Sequence, residues 1–275
     1  MRVWWIKANR KKVYMPVINY KVENRIAYVT LKRPEAMNAF SPAMYQQFNE
    51  ALTNFKKDEN AWVCIIHAIG EKAFSAGVDI TTIPLDIQNS SPQELTDILS
   101  QYTIDIEGEY YCDKPIIAAL HGYCIGEGLS IALSCDLRIA EETTVFCLPE
   151  AKMGIPTVNA AIHGANKIGV SNILELLLLG EKRYAAWAYR TGMVNKVVPE
   201  GKALEAAIKW AEQINRLSPL AVRATKKVAV QSRYQSFQAA ETTIGPTKRN
   251  IMQTDDAKEA ILAFLEKRNP VFKGR

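Results

Sequence analysis

Three glycine-centred segments hold the residue types from which an acid–base site could be built. Residues 73–80 read AFSAGVDI, residues 121–130 read HGYCIGEGLS, and residues 146–156 read FCLPEAKMGIP. The first follows an apolar run at 62–68. The second follows another at 115–120 and opens a stretch with helical character. Glycine at a strand-to-helix junction leaves backbone N–H groups uncovered and lets a ligand approach closely. The third segment contributes a carboxyl group, Glu150, among Val145, Phe146, Leu148, Met153 and Ile155. Burial there would raise its pKa and suit it to proton transfer near neutral pH. Any one of these segments, taken alone, also reads as a turn between elements.

Other chemistries find less support. The Gly126–Gly128 stretch lacks the Gly-Lys-Ser/Thr of a phosphate loop and is not GxGxxG, which disfavours nucleoside triphosphates and NAD. No His, Cys, Asp and Glu set has zinc spacing. No Ser-His-Asp triad is indicated by order or motif. His67 reads as a core or rim residue, His121 as part of a turn, and His163 as a helical residue four positions after Asn159.

The elements that would position these residues follow from the patterning. Two alternating apolar runs, 17–20 and 26–31, flank Glu23, Asn24 and Arg25 and predict a hairpin. Ser41 and Pro42 open a helix whose apolar positions Met44, Phe48, Leu52 and Phe55 recur at helical spacing. Residues 62–68, 115–120, 137–140 and 145–148 read as strands, and 124–135 as a helix. Residues 173–179 form an apolar helix that stops at Gly180. Leu204, Ala207, Ile208, Ala211 and Ile214 stripe another, and a final helix is capped at Asp255-Asp256. Strands and helices alternate and helices close the chain, so the fold class is mixed α/β. Residues 84–110, rich in Pro, Asn, Ser and acids, predict a mobile excursion of the kind used for lids.

Composition sets the outer bounds. The 275 residues are 48% hydrophobic and 23% charged, ordinary globular values. The net charge of +5 is largely owed to Arg2, Lys7, Arg10, Lys11 and Lys12. The near-neutral remainder offers no nucleic-acid surface. No stretch approaches the ~18–20 consecutive apolar residues that span a bilayer, so no membrane partner is expected. Cys64, Cys112, Cys124, Cys135 and Cys147 are odd in number and form no CxxC pair. They read as buried thiols in a reducing, cytoplasmic compartment. Residues 1–14 read as a loose extension without the apolar region of a signal peptide.

Together and in this order, the three segments resemble those of the crotonase family, the enoyl-CoA hydratases and isomerases. The similarity extends through Arg33, Pro34, Asn38, Ala39 and Phe40 to the ending 264–275, and so covers nearly the whole chain from Pro16. It implies a spiral of repeated ββα units over 15–200, a C-terminal helical region over 201–275 that trimerises, and a homotrimer or hexamer. The implied ligand is an acyl-CoA thioester, with coenzyme A part of the substrate, no separate cofactor and no metal.

The resemblance also implies site roles. Val78 and Glu127 would present main-chain N–H groups to the thioester oxygen, where losing one such donor costs about 3 kcal/mol. Glu150 would move a proton on the neighbouring carbons, with Ser130 as a hydrogen-bonding companion. Coenzyme A would meet Ala36, Met37, Ala39, Ala76, Asp79 and Ile80, and Lys267 with Phe272 or Lys273 would reach its phosphates, from this or a neighbouring subunit.

Several positions depart from the family pattern. Glu127 stands where glycine is usual, and its side chain is expected to point outward at the helix N-terminus, gaining ~0.3–1 kcal/mol from the dipole. Ser130 stands where hydratases carry their first glutamate. Isomerases of the family keep only the later one, and hydroxycinnamoyl-CoA hydratase-lyases carry Ser and Glu at these two places. Ile83 stands near the tyrosine of that last subgroup, and Val158 where dienoyl-CoA isomerases and aryl dehalogenases carry aspartate. The reading is therefore an isomerase or an atypical hydratase using a single glutamate. A carbon–carbon hydrolase or lyase of the same fold, or a non-catalytic acyl-CoA-binding or RNA-binding scaffold, stands as the alternative.

Overall fold

The computed structural model describes residues 16–84, 87–104, 106, 111–234 and 236–275. The expected extension at 1–14 and part of the 84–110 excursion lie outside these residues.

Strand β1 (Ile18–Glu23) turns through Asn24 and Arg25 into β2 (Ile26–Leu31). Both turn residues have positive φ, as a two-residue hairpin connection requires. Helix α1 (Pro42–Lys57) follows and then β3 (Val63–Ala68), β4 (Ala73–Ser75) and α2 (Pro92–Ser100). Next come β5 (Ile116–Leu120), β6 (Tyr123–Ile125), α3 (Glu127–Ser134), β7 (Leu137–Glu141) and β8 (Val145–Cys147). The chain continues through α4 (Asn159–Ile168), α5 (Val170–Leu179), β9 (Arg183–Tyr184), α6 (Ala185–Arg190) and β10 (Lys196–Val198). Helices α7 (Ala203–Asn215), α8 (Pro219–Gln231), α9 (Phe237–Met252) and α10 (Asp255–Leu265) complete it.

The strands form two sheets. The larger has the order β1-β2-β3-β5-β7-β10 and is parallel except at β1. The smaller has the order β4-β6-β8-β9, with β4, β6 and β8 parallel. From β3 to β8 successive strands therefore alternate between the large sheet and the small one. Coverage on both faces explains why the large-sheet strands read as unbroken apolar runs. Ile26, Tyr28, Val63, Ile65, Ile117 and Ala119 pack against the alanine stripe of α7 (Ala203, Ala206, Ala207, Ala211). Their neighbours Ala27, Val29, Cys64, Ile66, Ala118 and Leu120 face the opposite core with Phe48, Leu52 and Leu129. The alternation is the period-2 pattern of a strand buried on both sides.

Some expectations shift. Residues 124–125 belong to a three-residue strand, so the helix predicted over 124–135 begins at Glu127. A strand this short leaves no periodicity to read. The last helix is capped by Thr254, whose hydroxyl accepts from the Ala257 amide. Asp256 instead turns inward, taking the amides of Lys273 and Gly274. The described part of the excursion contains α2, held by a Ser91–Glu94 capping box, and the Tyr102 hydroxyl donates to the Thr82 carbonyl. All five cysteines are buried and unpaired. No helix of the described residues is long and apolar enough to cross a membrane.

The segment before α1 is tied down by Asn38, which is 1% exposed. Met37 and Asn38 both have left-handed φ. The Asn38 amide donates to the Ile69 and Ala73 carbonyls, and its oxygen accepts from the Arg33 amide. Asn38→Ala strands those buried partners and should cost about 1–3 kcal/mol. The midpoint of urea unfolding should fall accordingly; an unchanged midpoint would remove Asn38 from this role.

Candidate active site

Strands β4, β6 and β8 lie side by side and run in the same direction, so their carboxyl ends emerge at one edge. Val78, Glu127 and Glu150 each follow one of those ends by two or three residues. Three positions far apart in sequence are thus delivered together.

Glycine makes the approach close. A Cβ built on Gly77 would lie 3.5 Å from the Glu127 amide nitrogen and 3.5 Å from the Gly126 Cα. A Cβ built on Gly126 would lie 3.1 Å from Glu150 Oε1. Both glycines have positive φ, 99° and 56°. Behind them, Gly128 packs against Ser75, where an added Cβ would meet the Ser75 Cβ at 2.7 Å.

Two amides here are unspent. Phe40 bridges the Val78 segment in parallel, and Phe40 makes both hydrogen bonds: its N–H donates to Gly77 O, and its carbonyl accepts from the Asp79 N–H. In that pattern the Val78 amide points away from Phe40. Glu127 is the first residue of α3, so its amide has no intrahelical acceptor. Among the described residues neither amide meets a protein acceptor, and such donors can hold an oxygen that gains negative charge.

The acid beside them is set by its surroundings. Glu150 begins a short 3-10 turn after β8 and is half-buried. Its Oε2 is buried without a hydrogen-bond partner. Burial pushes the Glu150 carboxyl above its usual range, offset in part by its own main-chain amide and the nearby Thr157 hydroxyl. Ser130 is 6% exposed on α3, its amide donating to Gly126 O and its carbonyl accepting from the Ser134 hydroxyl.

Glu127 overturns the expectation of an outward side chain. The residue is half-buried, and burial together with the nearby Glu150 carboxyl pushes its carboxyl up to about 8. Tyr45, 1% exposed on α1, faces it. Burial, then the Glu127 charge, raises the Tyr45 phenol, whose hydroxyl is buried without a partner. Tyr45 of α1 and the turn bearing Glu150 lie on the side where solvent was expected.

The expected coenzyme A contacts divide into two groups. Ala36, Met37 and Ala39 run beside Ala76, Asp79 and Ile80. The Ala76 amide donates to Met37 O, and Arg33 pairs with Asp79 at 2.6 Å while donating to Ala39 O. Met37 and Ile80 are exposed at this edge. Lys267 and Lys273 are not brought there within the chain. The tail holding Lys273 docks by Asp256, and Arg25 donates to Phe272 O while stacking on Trp62, at the amino ends of β2 and β3. Tyr45 and Thr157 carried no signal in the sequence; Arg33 and Asp79 both lie in motif segments, but their pairing was not foreseen.

The histidines stand apart from this cluster. His67 shares a 2.9 Å hydrogen bond with the Thr30 hydroxyl, and burial lowers it to about 4. His163 is buried on α4. No group of three His, Cys, Asp or Glu among the described residues is arranged to hold a metal. A cavity of about 430 Å³ between α8 and α9 is lined by Ala221, Val228, Ile244 and Ile251 and holds no acid–base pair.

Repeated ββα turns that bring two unspent amides and an enclosed carboxyl to one sheet edge define a class of protein suited to polarising an acyl carbonyl. A model of the enoyl-CoA hydratase/isomerase family matches residues 21–275, and the chain belongs to that family, the crotonases. It is 34% identical over 264 residues to (E)-benzylidenesuccinyl-CoA hydratase of Thauera aromatica, covering 94% of this chain and all of that one. It is 33% identical to 2,3-dehydroadipyl-CoA hydratase of Escherichia coli, over 92% and 97% of the two chains. The crystal structure of enoyl-CoA hydratase from Bacillus anthracis superposes with a TM-score of 0.87 at 28% identity, covering 94% and 100%.

The Glu127 environment makes a prediction about stability. A carboxyl raised on folding holds its proton more tightly in the native state than in the unfolded chain. Its cost is absent below about 4.5 and grows as pH rises to about 8. Glu127→Gln, which cannot ionise, should melt with the parent near about pH 5 and above it near about pH 9. A difference in melting temperature that does not change with pH would place Glu127 in solvent.

Proposed function

We propose that this chain is a hydratase-type lyase that adds water across the Cα–Cβ double bond of a 2-enoyl-CoA thioester, or removes it. The observation that carries this reading is the meeting of the Val78 and Glu127 amides with the Glu150 carboxyl at the ends of β4, β6 and β8. The thioester oxygen sits between the two amides. When oxygen adds at Cβ, the electron pair of the double bond moves toward the carbonyl, and the amides hold the enolate charge. Glu150 moves a proton between water and the carbon skeleton. The relatives named hydratase support water addition over isomerisation.

The thioester's CoA portion runs along the exposed edge of Met37, Ala39, Ala76 and Ile80, and no cofactor beyond the substrate's own coenzyme A enters the chemistry. Self-association into trimers or hexamers fits the exposed apolar side chains of α5 and α10, with Leu178 73% and Phe264 83% exposed in the single chain.

Incubation with a panel of 2-enoyl- and 3-enoyl-CoA esters, resolved by mass, decides the reaction. Products heavier by one water support hydration; unchanged mass with a shifted double bond assigns isomerisation instead. Glu150→Gln should bind the thioester as the parent does and lose turnover at least about tenfold. Retained turnover would remove Glu150 as the proton carrier.

A further inference from the structure

Water addition needs two proton movements: one off the attacking water and one onto Cα. Ser130, on the face of α3 expected to serve Glu150, is not ionisable near neutral pH. Glu127 lies one helical turn before it, at i and i+3 on the same face of α3. Its main-chain amide is one of the two unspent donors, so its side chain starts next to the reacting carbonyl. Glu150 comes from the opposite side, its Oε1 reaching the space beside Gly126, the residue that precedes Glu127.

The groups facing Glu127 are few and alike. The turn after β8 contributes Glu150, and α1 contributes Tyr45, itself packed edge-on against Tyr102. Among the described residues no cation pairs with either carboxyl. Glu150 Oε2 and the Tyr45 hydroxyl are both buried without partners. Two half-buried carboxyls, one unpartnered phenol and two unspent amides thus lie near one another. A water with an acyl carbonyl would satisfy the Glu150 oxygen, the Tyr45 hydroxyl and the two amides.

We propose that Glu127 is the second proton-handling group of this site, working as a pair with Glu150. The inference rests on the hydratase reading above and names the partner that reading lacks. Each carboxyl disfavours the charge of the other, so the pair shares a proton. Burial and the Glu150 charge hold the proton on Glu127. At Glu150 its own main-chain amide and Thr157 favour the charged form against burial.

The step balances. Glu150 takes a proton from water as the oxygen bonds to Cβ. The π pair moves onto the thioester, where the amides hold it. Glu127 then gives its proton to Cα as the carbonyl re-forms. Glu150 is left protonated and Glu127 ionised, and passage of that proton from one to the other restores the start.

Glu127→Gly keeps the main-chain amide and removes only the carboxyl; Glu127→Gln keeps the shape. Each should lower kcat for hydration by about 100-fold or more while KM changes by less than about threefold. Both should also abolish the fall of kcat on the alkaline side that deprotonating the pair imposes. Circular dichroism and thermal melting confirm folding of each variant. Deuterium uptake at Cα of a saturated acyl-CoA in D2O reads the proton transfer whatever the net reaction. If the parent hydrates no ester, the hydratase reading falls, and Glu127 is still judged by that exchange. Loss of exchange in both Glu127 variants supports the pair. Turnover or exchange within about threefold of the parent in a folded Glu127→Gly overturns it.

Discussion

The close approach of Gly77 to Gly126 is the constraint on which the site depends. Each lacks the Cβ that would hold the β4 and β6 ends apart, and each adopts a φ that other residues rarely take. Their contact brings the Val78 and Glu127 amides to the same place. It also leaves the space that Glu150 Oε1 enters. A side chain at Gly126 would therefore disturb the amides and the acid at once. The two halves of the chemistry, charge stabilisation and proton transfer, share one steric requirement.

Much of this was legible in the chain, and the reasons are specific. The large-sheet strands announced themselves because two covered faces demand continuous apolar residues, as in 26–31 and 62–68. The glycine segments stood out because special backbone angles need glycine. The resemblance carried the ββα spiral, which the two interleaved sheets bear out. The small sheet was not visible, since three residues give no period. Cys124 consequently read as helical when it lies in β6. The Glu127 side chain was misplaced for a related reason. A residue at a helix N-terminus faces water only if nothing packs there, and α1 is remote in sequence. The tail holding Lys273 is a third case: its partner Asp256 resembled a helix cap, whereas the side chain reaches instead to the main chain of the last residues.

Carboxyl groups around this edge are sorted by what accompanies them. Burial tends to raise Asp79, but hydrogen bonds from Thr81 and the Arg33 guanidinium outweigh it and hold the group below the usual range. Asp79 is thus a fixed anion that fastens the Phe40 and Val78 segments. Glu150 and Glu127 are half-buried near the same edge, no cation among the described residues pairs with them, and both lie above the usual range. The difference lies in partners more than in depth. A carboxyl with an arginine serves structure because its charge is settled; one without can change its protonation state at modest cost near neutral pH.

That division bears on stability. Glu150 Oε2 and the Tyr45 hydroxyl are buried without a protein partner, and each such group costs about 1–3 kcal/mol. The surrounding core must outweigh that cost. Phe40, Phe48 and Tyr45 meet edge-to-face directly beneath the site, and Phe74 and Phe146 are fully buried in the strands that carry its residues. These rings hold β4, β6, β8 and α1 in register whether or not a ligand is present. A polar ligand entering the site then meets donors already aimed rather than donors that must first be freed.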